Sequence, residues 1–110
     1  MAYDGDLVNR LRELLAEEEA VTEKKMFGGF AFLLRGHMSV SASRNGGLLV
    51  RIDPADTDAF LARRHVALMQ MGGRTMDGWL TVESAGLKTE RELAAWVERS
   101  VTFVKSLPPK

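Results

Sequence analysis

Arg35, Arg51 and Arg74 are the residues best suited to fixed-geometry chemistry, because all three lie on or beside segments patterned as strands. A guanidinium held on a strand offers a planar fork of donors that can grip a carboxylate or phosphate at two points. His37, two residues after Arg35, adds an imidazole beside the same turn. A small anionic ligand is the sharpest binding hypothesis these residues support. Surface pairing with acids such as Asp53 and Asp77 explains the same arginines more simply.

No catalytic constellation accompanies them. His37 and His65 are the only histidines and lack metal-ligand spacing, and the chain has no cysteine to serve as nucleophile, zinc ligand or disulfide partner. Ser39, Ser41 and Ser43 alternate and read as the polar face of a strand rather than as nucleophiles, and no Gly-x-Ser-x-Gly elbow is present. The pairs Gly28-Gly29, Gly46-Gly47 and Gly72-Gly73 lack the spacing of a phosphate loop and read as turns, bulges or close packing. Asp53, Asp56 and Asp58 suit a helix cap and first turn. The expectation is a protein that is not an enzyme and needs neither metal nor cofactor, with a site using Arg51 and His37 as the weakest alternative.

Composition narrows the class further. The 110 residues suit one domain, 1–110, with apolar residues at 45% and charged ones at 27%, the mixture of a globular protein. Fifteen Lys and Arg balance fifteen Asp and Glu, leaving no long-range pull towards polyanions. Lys24-Lys25, beside Glu23, and Arg63-Arg64 are short clusters and read as solvated surface charge, so direct nucleic-acid binding is not expected. The acidic start and the lack of a long apolar run point to the cytoplasm and away from a membrane.

The elements that must position these residues follow from periodicity. Leu7, Val8, Leu11, Leu14 and Leu15 form a helical stripe capped by Asp4 or Asp6, giving a helix to about Glu19, where three glutamates oppose the helix dipole, and then a linker over 20–25. Three strands follow between Met26 and Ile52. Phe30, Phe32 and Leu34 alternate on the first, Arg35-Gly36-His37 turns, Met38, Val40 and Ala42 alternate on the second, and Asn45-Gly46 turns into the third. Asp53-Pro54 starts a short helix to about Arg64 anchored by Phe60. Asp77-Gly78 suggests a second hairpin, with a bulge at Gly72-Gly73. Thr89 and Glu92 make a capping box for a last helix carrying Leu93, Trp96, Val97, Val101 and Val104. The fold class is therefore α+β: a mainly antiparallel five-stranded sheet with flanking helices, in the order α-β-β-β-α-β-β-α.

On the sheet, Gly29, Ala31, Ser39 and Ser41 form a strip of small residues opposite Phe30 and Phe32. A closely packed helix, such as the last one with Trp96, is its expected cover. A ligand groove or an edge-to-edge homodimer is the functional alternative.

Met26-Phe27-Gly28-Gly29, Leu49-Val50-Arg51-Ile52-Asp53, Met76-Asp77-Gly78-Trp79 and Leu93-Ala94-Ala95-Trp96-Val97, taken in order and spacing, resemble the N-terminal domain of the TfoX/Sxy competence-regulator family over nearly the whole chain. The resemblance implies an antiparallel sheet flanked by helices, a regulatory or binding role, and no catalytic residues. The longer members have a second, helical C-terminal domain that residues 1–110 do not include, so a standalone domain is expected. A non-enzymatic cytosolic domain acting through an unidentified protein partner is the leading expectation, and a small anionic-ligand binder the alternative.

Overall fold

A computed structural model of the chain describes residues 3–26, 28–44, 46–71 and 73–108. Expectations resting on Phe27, Asn45, Gly72, Pro109 and Lys110 lie outside those residues.

Helix α1 (Gly5–Leu14) starts where Asp4 accepts from the amides of Asp6 at 2.9 Å and Leu7 at 3.4 Å, and it buries Leu7, Val8 and Leu11. It stops short of the expected Glu19. The glutamate run sits where the negative end of the helix would be, and Ala20 turns into the left-handed region at φ 58. The chain enters a strand instead of a linker: β1 (Val21–Met26) pairs along β2 (Gly29–Leu34) in antiparallel register from Val21↔Leu34 to Met26↔Gly29. Its exposed Thr22, Glu23, Lys24 and Lys25 hide the alternation that identifies a half-buried strand, and charge on an edge strand is what blocks unwanted pairing.

Arg35 at φ 52 and Gly36 at φ 87 turn the chain into β3 (His37–Ala42), followed by β4 (Leu48–Arg51). A 3-10 turn (Pro54–Asp56) capped by Asp53 leads into α2 (Thr57–Leu61), which ends before the expected Arg64. Then come β5 (Val66–Met71), β6 (Arg74–Val82), a 3-10 turn (Ser84–Leu87) and α3 (Glu90–Lys105) with the expected Thr89–Glu92 capping box. The six strands form one antiparallel sheet in the order β1-β2-β3-β4-β6-β5. The fold is thus α+β as expected, with six strands rather than five and the order α-β-β-β-β-α-β-β-α.

Two irregularities shape the sheet. In the β5–β6 hairpin Met71 pairs with Arg74, so the chain reverses between them, where Gly73 takes φ 80, while Leu68↔Leu80 and Met69↔Met76 leave Asp77-Gly78-Trp79 as a bulge inside β6. Turn and bulge have exchanged their expected places. Gly78, at φ +82, accepts from the Ile52 amide at 2.8 Å and donates to Thr57 Oγ1 at 3.3 Å, so the bulge ties β6 to the α2 segment. The second irregularity lies between β2 and β3, where Phe32↔Val40 is followed by Leu33↔Met38. Ser39 is the extra residue. It joins Val40 on the core side and sends Met38 to the other face, which overturns the expected alternation of Met38 with Val40.

Helices α1 and α3 pack on the core side of the sheet. Leu11, Leu93, Trp96 and Val104 meet Phe32, Val40, Leu48, Val50, Leu80 and Val82 there. Phe60 of α2 packs at its margin.

Candidate functional site

The antiparallel order puts the β2–β3 turn, the end of β4 and the start of β6 at one end of the sheet, so Arg35, Arg51 and Arg74 share that end on different elements. Arg51 stacks on two rings, with its guanidinium carbon 5.3 Å from the Trp79 centroid and 5.6 Å from that of Phe103. Arg35 and Arg74 are exposed. The expected pairing with Asp53 and Asp77 is not what the structure shows: among the described residues the ion pairs are Arg10–Glu90, Arg12–Glu23 and Lys105–Glu18. Asp53 caps Ala55. His37 Nε2 donates to the Pro108 carbonyl at 2.6 Å, so it anchors the segment after α3 instead of facing the arginines. Its Nδ1 is buried without a partner.

The strip of small residues divides. Gly29 and Ser41 line the face opposite α3, with Ala31 paired across to Ser41, whereas the bulge carries Ser39 to the core side, where it meets Ser100 of α3. Among the described residues no helix supplies the expected cover on that face: a groove of about 590 Å³ there is lined by strands and the turn after β3. Met26 of β1 and Met69 of β5 stand on opposite edge strands yet line this one groove, together with Met38 and Leu49. Five strand spacings of about 4.8 Å each would hold them far apart on a flat sheet. The face is therefore concave, and the bulges at Ser39 and Asp77–Trp79 supply added twist.

A third constellation escaped the sequence reading. Phe60 of α2 and Trp96 of α3 meet edge to face at 5.2 Å between centroids, and two guanidinium groups lie over the same pair of rings. Arg63 stands 5.3 Å from Phe60 and 5.9 Å from Trp96, and Arg99 stands 4.8 and 5.0 Å from them. Arg99 Nη1 is buried with no hydrogen-bond partner. Burial first, and then the Arg63 charge, push the Arg99 guanidinium below its ordinary range. A groove of about 750 Å³ beside this cluster is lined by Arg63, Arg64, Arg91 and Arg99 as well as Trp96 and Val66. A signal for it exists in the sequence, because Phe60–Arg63 and Trp96–Arg99 share the i, i+3 spacing that puts two side chains on one helix face. Arg63-Arg64 read as solvated charge hides it.

Among the described residues no group of His, Asp or Glu side chains is arranged to hold a metal ion, and no helix is long and apolar enough to cross a membrane. Comparison with protein families finds one whose model, described as the TfoX N-terminal domain, matches residues 13–104. No curated protein matches the chain.

Proposed function

This chain belongs to the TfoX N-terminal domain family, and from that premise we propose that it is a non-enzymatic regulatory domain that works by binding a partner protein on the helix-free face of its sheet. The observation that carries the reading is a concave, methionine-lined face running to an uncharged edge strand. Edge strand β5 spans Val66–Met71 without a charge, whereas the opposite edge β1 carries Glu23, Lys24 and Lys25. An unpaired, uncharged edge is a template for one more strand. Methionines adapt their shape to what covers them, and here they stand over a floor of small, already buried residues, Gly29, Ala31 and Ser41. The occupant this geometry suits is an extended apolar segment of another protein, paired to β5 and laid across Met38 and Met69.

The test is affinity capture with the wild type, Met38→Lys and Met69→Lys side by side. A protein retained by the wild type should be lost by both variants, while each variant still unfolds in one cooperative transition. Capture indifferent to both charges would overturn the docking face. Turnover of a phosphoester or ester that follows the protein through purification and disappears in His37→Ala would overturn the non-enzymatic reading.

A further inference from the structure

We propose that the groove between α3 and the turn that follows α2 is a separate ligand site, for a small molecule bearing two linked phosphate groups. Charge carries the argument. Arg63, Arg64, Arg91 and Arg99 line the groove against a single carboxylate, Glu92. That carboxylate is engaged in the α3 cap, where Glu92 Oε1 accepts from Thr89 Oγ1 at 3.0 Å and the Thr89 amide at 3.4 Å. An excess of three positive charges is thus gathered in one place on a chain whose formal net charge is zero. Among the described residues none of the four arginines has a carboxylate in ion-pair contact.

Structural need does not account for this gathering. Covering Phe60 and Trp96 requires aliphatic stems, which lysine or glutamine would supply. One guanidinium over the rings already gives the cation–π attraction, and a second on the same pair adds like-charge repulsion in a half-buried place. Arg99 Nη1 is buried against the rings with no hydrogen-bond partner, so this guanidinium is held at the groove with no anion of its own. Like-charged groups held together without partners mark sites whose counter-charge arrives with the ligand.

Magnitude and shape select the ligand class. A phosphate group carries about −1.5 to −2 charges and three strong acceptor oxygens, so two linked phosphates match the excess and can engage guanidinium forks at several points. Val66, Val82, Ala95 and Trp96 supply an apolar wall for an organic body, and a groove of about 750 Å³ is of small-molecule size. Asp53, Asp56 and Glu98 line the adjoining groove on the other side of Arg99. They repel an anion there and direct it to the side of Arg91 and His65.

The test uses inorganic pyrophosphate as probe, by titration calorimetry at low ionic strength and by fluorescence of Trp96 in a Trp79→Phe background. Saturable one-to-one binding is expected, weakened about tenfold or more by Arg63→Gln and by Arg99→Gln. Arg99→Lys should also weaken it, because the two-point fork is lost. Arg35→Gln and Met69→Lys should bind as the wild type does, which separates this site from the sheet face. Arg63 is exposed in the turn after α2, so Arg63→Gln keeps the test decisive if Arg99 variants fold poorly. Absence of pyrophosphate binding, or binding indifferent to Arg63→Gln, would overturn the proposal. Displacement of pyrophosphate by a short single-stranded oligonucleotide that binds more tightly would overturn it in favour of a nucleic-acid surface.

Discussion

Ser39 of β3 and Ser100 of α3 bond to each other twice in the fully buried interface between helix and sheet. Ser100 Oγ donates to the Ser39 carbonyl at 2.9 Å, and the two hydroxyl oxygens stand 2.7 Å apart. Since the Ser100 proton is committed to the carbonyl, the Ser39 hydroxyl must be the donor of the second bond. The bulge therefore delivers a polar group into an apolar interface together with the means to satisfy it.

The two serines are predicted to be unequal. Ser100→Ala strands both the Ser39 hydroxyl and its carbonyl in the interior and should cost about 1–3 kcal/mol. Ser39→Ala leaves the carbonyl satisfied and should cost about 0.5–1.5 kcal/mol. Chemical denaturation of the single and double variants should show strong non-additivity, and equal single costs would disprove the assigned proton order.

Trp96 is 4% exposed and packs against Phe60. Trp96→Ala is expected to lower stability by about 3–5 kcal/mol. A loss under about 1 kcal/mol in equilibrium denaturation would contradict the docking of α3.

A side chain at Gly29 meets backbone, not helix. A Cβ there would run into the Ala42 carbonyl oxygen and come within 3.3 Å of Ser41 Oγ. Gly29→Ala should therefore already destabilise, by about 1–3 kcal/mol, with Gly29→Val at least as severe. An Ala variant as stable as the wild type would show that β2 and β3 can separate at no cost.

Glu23 links β1 to α1 through two bonds from Arg12, at 2.9 and 2.8 Å. Those hydrogen bonds, and secondarily the Arg12 charge, hold its carboxyl below the ordinary range. Because the folded value is the lower one, the contribution is complete above the unfolded value of about 4.3 and is lost as pH falls through the folded value. The thermal midpoints of wild type and Glu23→Gln should accordingly differ most near neutrality and converge in acid, and the gap should shrink with added salt.

Much of the fold is legible in the residues because the large apolar side chains obey their periods. The stripe from Leu93 to Val104, the Thr89–Glu92 box and the alternation of Phe30, Phe32 and Leu34 all appear as expected. Concealment occurs where a local rule yields to a tertiary one. β1 escapes because an edge strand is under pressure to be charged. Asp77-Gly78 has the chemistry of a hairpin turn, but a positive φ serves a bulge equally well, and only the contact with Pro54 and Ile52 decides between them. Ser39 reads as one face of a strand and sits on the other, since one extra residue shifts the period. The arginine cluster is hidden for a different reason: its members come from two distant segments, the turn after α2 and helix α3, and nothing in either announces that Phe60 and Trp96 will meet.

The unequal edges of the sheet also fix how far any association can extend. A chain that accepts a strand at β5 still ends on β1, where Glu23, Lys24 and Lys25 meet solvent. Head-to-tail pairing of β5 with the next copy's β1 would generate an open filament, and the charged strand blocks that route. On the proposed reading growth would therefore stop after a single step, either one donated strand or one two-fold pair, and an adhesive edge would not become a seed for fibres.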